Sequence, residues 1–145
     1  MLGYTFGTGF GIGMVINGEL NRGDNSCVET FCLPHKTKEG IITEEGVSVR
    51  AIKRVYAEAS GDFSHSYEPK EICEIADGKR EGNVDAAKKA FAEFGETAGH
   101  AMAIAAQLVD GIIVIGGGIT AARHHILPSL LEVLRSSYVT LGGDK

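Results

Sequence analysis

The chain has 145 residues, of which 43% are hydrophobic and 23% charged, and its formal net charge is −5. This length suits one domain with a buried core, while the acidic balance, without a run of lysine or arginine, argues against binding nucleic acid through this part. The three cysteines form no CxxC pair and predict neither a disulfide framework nor a four-ligand zinc site. With no apolar stretch of about 18 residues and no signal-peptide pattern, we expect a cytoplasmic protein that does not contact a membrane.

The N-terminal stretch combines two β-prone segments with a glycine-rich turn. Residues 2–6 and 12–16 are apolar and flank Gly7, Thr8 and Gly9, a pattern that predicts a hairpin with a glycine tip. Glycine permits positive φ and lacks a Cβ, so successive amides and the Thr8 hydroxyl would form a concave anion site, with phosphate the natural ligand. A tight hairpin without a ligand is the alternative.

The following elements are read from turn residues and periodicity. Asn17-Gly18 predicts a turn into a third short strand, and residues 28–33 are compatible with a further strand before a loop. Asn83 is expected to cap a long helix. The predicted helices cover residues 49–59, 69–76 and 84–109, and a last helix starts at Pro128.

The predicted helix over residues 84–109 is rich in alanine. Small residues on one stripe permit close approach of another helix or of a sheet. That approach would be packing within the chain or a contact with a second copy, as in a homodimer.

Residues 112–115 form a short apolar run, which predicts a central strand covered on both faces. Gly116, Gly117 and Gly118 stand at its carboxyl end, where ligands of open α/β sheets bind, and three glycines would let a base or ribose lie against the backbone. A tight strand-to-helix turn without a ligand is the alternative.

Residues 1–145 read as a single domain that stops soon after a helix. A parallel strand normally follows such a helix, and the chain also starts on a strand. We therefore expect a fragment of a longer protein that lacks an N-terminal lobe.

Several ordered motifs together resemble the C-terminal lobe of the ROK family of sugar kinases and sugar-responsive repressors. The motifs are residues 2–16, Arg22-Gly23 followed by Glu29, Glu44 four residues before Ser48, the alanine-rich helix, and residues 110–119. The resemblance implies an α/β fold of the actin-like ATPase (ribonuclease H-like) type, with a mixed sheet, an antiparallel hairpin and flanking helices.

By this resemblance, Gly7-Thr8-Gly9 corresponds to the second phosphate-binding turn for ATP, which would bring Mg²⁺, and Gly116-Gly117-Gly118 to the adenosine motif. Glu29 and Glu44 match two glutamates that contact the sugar. A carboxylate suits that task because it accepts hydrogen bonds from neighbouring hydroxyls. Surface acids without a ligand are the alternative for both residues.

The chain also departs from the family pattern. Cys32 replaces the histidine that contacts sugar and ligates zinc, and the cysteine-rich zinc loop is absent. Cys27, Cys32 and His35 follow no metal-ligand spacing, so we expect no zinc there and assign no metal ligand. His100, His124 and His125 are interpreted as surface or packing residues.

The family's catalytic aspartate and first phosphate loop lie upstream of the segment that this chain begins with. No catalytic residue is therefore assigned. Because loss of a general base costs about 10² to 10⁴ in rate, we expect the chain alone to be inactive. The leading hypothesis is the ATP- and sugar-binding lobe of a kinase that phosphorylates a hexose or amino sugar. A sugar-sensing lobe of a repressor and a noncatalytic dimerisation module are the alternatives.

Overall fold

Four strands form one mixed sheet in the computed structural model, which describes residues 1–144. The strands are β1 (Leu2–Phe6), β2 (Phe10–Ile16), β3 (Glu19–Asn21) and β4 (Ile113–Gly116), in the spatial order β3-β2-β1-β4. β1, β2 and β3 pair antiparallel, whereas β4 runs parallel to β1. The expected hairpin and mixed sheet are both present.

The turn from β2 to β3 has the chemistry that its sequence predicts. Asn17 and Gly18 both adopt positive φ, 52° and 82°, which is the requirement of a two-residue hairpin turn of type I′. Every residue of β3 is exposed, so this strand ends the sheet on one side.

Four helices follow the order predicted, and two carry side-chain caps at their N-termini. Ser48 accepts a hydrogen bond from the Ala51 amide at 3.3 Å, and Asn83 accepts one from the Ala86 amide at 3.0 Å. No helix in residues 1–144 has the length and apolar character needed to cross a bilayer. The helices are α1 (Val49–Ser60), α2 (Pro69–Ala76), α3 (Val84–Val109) and α4 (Arg123–Leu134), with short 3₁₀ turns at Thr43–Glu45 and Gly118–Ala122.

The core lies between one face of the sheet and the helices. Alternate residues of β1 point into it, because side chains of a strand alternate between faces: Leu2, Tyr4 and Phe6 are buried. Phe6 meets Phe94 of α3 edge to face, with ring centroids 5.0 Å apart. This contact fixes the carboxyl end of β1 against the longest helix.

α3 and α4 cross at two glycines of α3. A Cβ on Gly95 would collide with the Ile126 carbonyl, and one on Gly99 would lie 2.9 Å from Val133 Cβ. The Ser129 hydroxyl donates to the Ala92 carbonyl at 2.8 Å across the same contact. The small-residue stripe of α3 therefore serves packing within the chain at this crossing.

β4 corrects one sequence prediction. Within residues 1–144 it pairs with β1 alone and forms the edge of the sheet, and Val114 is 48% exposed. Ile113 and Ile115 face the helices, whereas Val114 points to the other side. A four-residue apolar run does not distinguish a strand covered on both faces from one covered on one face.

Residues 28–33 also depart from prediction, because they form no strand. Leu33 donates its amide to the Thr30 carbonyl at 3.2 Å, which closes a turn, and the Phe31 carbonyl accepts the Glu44 amide at 3.1 Å. Only a single bridge, Pro34 to Ile42, has strand geometry here. The segment is thus a loop tied to the turn that carries Glu44.

α4 begins five residues before the predicted start at Pro128, which lies inside the helix. Pro128 is the sixth residue of the helix, where proline removes the hydrogen bond to the His124 carbonyl, so the sequence favours a helix that starts at the proline. The earlier start places His124 and His125 on the first turn of α4, facing the end of α2.

Replacing Gly95 with alanine is expected to destabilise the protein. Alanine improves helix propensity by about 1 kcal/mol, but overpacking against the Ile126 carbonyl costs about 1 to 3 kcal/mol. We expect a net loss of about 1 kcal/mol in the free energy of unfolding, measured by urea denaturation. The exposed neighbour Glu96, changed to alanine, is the control and should stay within about 0.5 kcal/mol. A Gly95→Ala protein as stable as the original would contradict the close crossing.

Candidate functional site

The turn between β1 and β2 carries the predicted phosphate-binding residues. The Gly7 amide donates to the Gly9 carbonyl at 3.2 Å, and the Gly7 carbonyl accepts the Val49 amide at 3.1 Å. The turn is therefore anchored to the start of α1. Thr8 is exposed at the tip, and within residues 1–144 the amides of Thr8 and Gly9 donate to no acceptor. These two amides and the Thr8 hydroxyl are free to bind an anion.

The turn does not use the left-handed backbone conformation that glycine would permit. Neither Gly7 nor Gly9 has positive φ, and a Cβ on Gly7 would meet nothing within 4 Å. A Cβ on Gly9 would lie 2.7 Å from Oε2 of Glu44. Glycine at position 9 lets a carboxylate approach the tip.

Glu44 is held at this tip by the backbone. Its Oε2 accepts the Phe10 amide at 3.1 Å, and its Oε1 lies 3.7 Å from Nη2 of Arg50. The side chain remains 25% exposed. The resemblance assigns Glu44 to the sugar, and the structure places its carboxylate against the hairpin tip that is predicted to bind phosphate.

The second glycine cluster follows β4, and the structure explains Gly117 and Gly118 in different ways. Gly117 has φ of 97°, and a Cβ there would lie 2.8 Å from the Phe6 amide nitrogen and closer still to the Phe6 carbonyl. Glycine at position 117 is therefore required by the crossing of the chain over β1. Gly118 has nothing within 4 Å of its Cβ position and is the cluster's open surface.

Gly118 lines a cavity of about 280 Å³ between the 3₁₀ turn that follows β4 and helices α2 and α3. Lys70 and Phe91 also line this cavity, as do Cys73 and Asp77. A flat group lying on Gly118 would have the exposed Lys70 side chain within the same cavity. The sequence does not reveal Lys70 or Phe91 as neighbours of Gly118, because only the packing of α2 and α3 brings them to this cavity.

The two glycine clusters follow β1 and β4 at the same end of the sheet. β1 and β4 are parallel neighbours, with Thr5 opposite Gly116, so their carboxyl ends coincide. The crossing at Phe6 then brings Gly117 against the residue that precedes Gly7. The arrangement agrees with the rule that ligands of α/β sheets bind beyond the carboxyl ends of strands.

Glu29 is exposed, in the loop that replaced the predicted strand. Thr30 of this loop is buried, as is Tyr4 of β1, where burial raises the pKa of the phenol. Phe31 of the same loop pairs with the Glu44 backbone. The two glutamates thus lie on adjoining segments, with Glu44 anchored and Glu29 free.

Within residues 1–144, the three residues considered for zinc form no cluster of ligand atoms. Cys27 and Cys32 are exposed, whereas His35 is 7% exposed and its Nε2 lies 3.5 Å from the Thr97 hydroxyl. Burial, together with the charges of Lys38 and Arg54, lowers the pKa of His35. His35 is therefore a neutral packing residue in the core.

Comparisons with known proteins identify relatives. The ROK family model matches residues 1–140. The glucokinase of Parabacteroides distasonis is 55% identical, with a TM-score of 0.90 over 92% of this chain and 38% of that chain. A ROK glucokinase of Streptomyces griseus, solved with glucose and AMPPNP, is 23% identical, with a TM-score of 0.73 over 94% of this chain and 51% of that chain.

A ROK transcriptional regulator, described as a homologue of the E. coli MLC protein, is 21% identical, with a TM-score of 0.77 over 92% of this chain and 37% of that chain. A search of curated proteins finds no match. The chain spans 38% of the length of the P. distasonis glucokinase and 51% of that of the S. griseus enzyme.

The fold is that of these sugar kinases, an actin-like ATPase lobe with a mixed sheet and flanking helices. Kinases and a regulator share it, so the fold alone does not choose between their activities. The match over residues 1–140 shows that the chain belongs to the ROK family.

Proposed function

We propose that this chain is the ATP- and sugar-binding lobe of a sugar kinase that phosphorylates a hexose or amino sugar. The observation that carries the proposal is the meeting of the two glycine clusters at the carboxyl ends of β1 and β4, with the Glu44 carboxylate fixed beside them. The similarity to the P. distasonis glucokinase, at 55% identity, supports it.

The hairpin tip is the phosphate contact in this proposal. The free amides of Thr8 and Gly9 and the Thr8 hydroxyl donate to phosphate oxygens. Hydrogen bonds to a charged group contribute about 1.5 to 3 kcal/mol each. Mg²⁺ bound to the nucleotide would neutralise phosphate charge and needs few protein ligands, since it usually keeps several waters.

Gly118 and its cavity receive the adenosine. The open backbone at Gly118 suits a flat base, and about 280 Å³ is available. Gly116 and Gly117 contribute by shaping the chain that presents Gly118, and the Gly117 carbonyl accepts the Thr120 hydroxyl at 2.6 Å.

Glu44 and Glu29 bind sugar hydroxyls. Because the Phe10 amide already occupies one oxygen of Glu44, the other oxygen is the acceptor left for sugar, with Arg50 beside it. This arrangement connects the sugar contact to the phosphate turn through one hydrogen bond, from the Phe10 amide to the Glu44 carboxylate. Glu29, on its exposed loop, would approach the sugar from the side.

The general base for the sugar hydroxyl is expected to come from an N-terminal lobe outside this chain. The chain's own contribution is to bind and orient both substrates, which phosphoryl transfer depends on strongly. The proposed reaction therefore belongs to the full-length protein.

Changing Thr8 to valine should weaken binding of a non-hydrolysable ATP analogue to the full-length protein by about tenfold or more, because one hydroxyl donor to phosphate is lost. Calorimetric titration measures this. Thr5→Val is the matched control, since Thr5 is exposed on β1 outside the tip, and it should leave the affinity unchanged. Equal affinity in the two variants would count against the phosphate assignment.

Changing Gly118 to leucine should weaken the same analogue while sugar affinity stays unchanged. Nothing lies within 4 Å of the Gly118 Cβ position, so the fold should accept the side chain and the ligand should not. Gly117 is unsuitable for this test because a side chain there collides with Phe6. If the Gly118→Leu protein binds the nucleotide with unaltered affinity, adenosine does not bind in this cavity.

Changing Glu44 to glutamine should raise the KM for sugar about tenfold or more, since a charged acceptor is replaced by a neutral one. The amide oxygen can still accept from Phe10. Glu45→Gln is the control, as Glu45 bonds to Arg50 at 2.8 Å and not to the tip. The assay is sugar-dependent ADP formation over a panel of sugars. A full-length protein that binds sugar and ATP but forms no ADP would contradict the kinase and favour a sugar sensor.

A further inference from the structure

Four side chains capable of metal ligation converge where the end of α2 meets the start of α4, and two of them, Cys73 and Asp77, also line the Gly118 cavity. Cys73 lies on the last turn of α2 and Asp77 directly after it, while His124 and His125 open α4. Their ligand atoms all lie within 4.8 Å of one another. They form the only group of three or more such residues within the described residues 1–144.

We propose that Cys73, Asp77, His124 and His125 bind one Zn²⁺ in a closed, structural site that ties α2 to α4. Zinc takes thiolate, imidazole and carboxylate ligands in tetrahedral geometry, and four protein ligands without an open position are typical of structural sites. Mixed nitrogen, sulfur and oxygen donors favour Zn²⁺ over Mg²⁺ or Ca²⁺, which prefer oxygen alone.

The two histidines and Asp77 already lie close to the spacing that zinc requires. Metal–ligand bonds of about 2.0 to 2.3 Å in a tetrahedron separate ligand atoms by about 3.3 to 3.8 Å. Nε2 of His124 and Nε2 of His125 now lie 2.8 Å and 2.7 Å from Oδ1 of Asp77. Both imidazoles therefore turn toward one carboxylate oxygen. Each Nε2 has to move about half an ångström away from Oδ1 of Asp77 to admit the ion.

Neighbouring groups hold the ligands in place. The ring of His125 stacks on Phe91, with centroids 5.8 Å apart and planes 19° apart, and its side chain is only 14% exposed. Lys79 binds Oδ2 of Asp77 at 2.9 Å, which leaves Oδ1 for the metal. His124 is 52% exposed and supplies the ligand nearest to solvent.

This site differs from the one considered during sequence analysis. Cys27, Cys32 and His35 lack ligand spacing in the sequence and form no cluster within residues 1–144. The new ligands are two local pairs, Cys73 with Asp77 four residues later, and His124 with His125. Because Cys73 and Asp77 also line the Gly118 cavity, a bound Zn²⁺ would lie at its wall, and zinc binding is measured separately from nucleotide binding.

Cobalt substitution tests the thiolate ligand. Protein stripped with a chelator and loaded with Co²⁺ should show cobalt-to-thiolate charge-transfer absorption, which Cys73→Ser should abolish. Cys27→Ser is the matched control, because Cys27 is exposed and outside the cluster, and should retain the absorption. Absorption that survives in Cys73→Ser, or that never appears in the original protein, would overturn the proposal.

Zinc affinity and thermal stability supply a second test. The metal-free protein should bind one Zn²⁺ per chain with a rise in Tm. His124→Ala should weaken binding by more than about 100-fold, since even residues that only orient ligands cost about 10- to 100-fold. His124 is half exposed, so its loss should not unfold the protein. His65→Ala is the control, because His65 is exposed and pairs with Glu71. Equal zinc affinity in the two variants would mean that the cluster is only an Asp–His hydrogen-bonded group.

Discussion

The crossing of Gly117 over Phe6 is the constraint on which the proposed site depends. A side chain at position 117 would collide with the Phe6 backbone, so only glycine lets β4 end beside β1 and turn into the following 3₁₀ segment. Phe6 is in turn fixed against Phe94 of α3. The proposed phosphate turn and Gly118 therefore hold fixed positions relative to each other, both set by the core beneath Phe6.

A second connection runs from the hairpin tip to the sugar side of the proposed cleft. Glu44 accepts the Phe10 amide, and its own amide donates to the Phe31 carbonyl of the loop that carries Glu29. One residue thus bonds to the hairpin and to this loop. A change at Glu44 should disturb both substrates more than a change at Glu29, because Glu29 has an exposed side chain on a loop. Binding of sugar and of nucleotide would then be coupled through the two hydrogen bonds of Glu44, without a large movement of the lobe.

Turn residues, caps and periodicity in the sequence predicted the elements that depend on neighbouring residues. They did not predict features that depend on contacts between distant segments. Asn17-Gly18, the Asn83 cap and the long period of α3 were read from neighbouring residues and are confirmed. β4 appeared central because its apolar run does not show what covers each face, and the proline at 128 concealed the start of α4. The need for glycine at 117 arises from Phe6, more than 100 positions away along the chain. The Cys73–Asp77–His124–His125 cluster was missed for the same reason, since the two pairs join only when α2 packs beside α4.

The central claim is that one nucleotide spans both glycine clusters, and amide chemical shifts test it most directly. Titration of the isotope-labelled full-length protein with a non-hydrolysable ATP analogue should shift the amide resonances of Thr8, Gly9 and Gly118 together, with one common dissociation constant. Shifts confined to one cluster, or different constants for the two, would contradict a single nucleotide site at the carboxyl ends of β1 and β4.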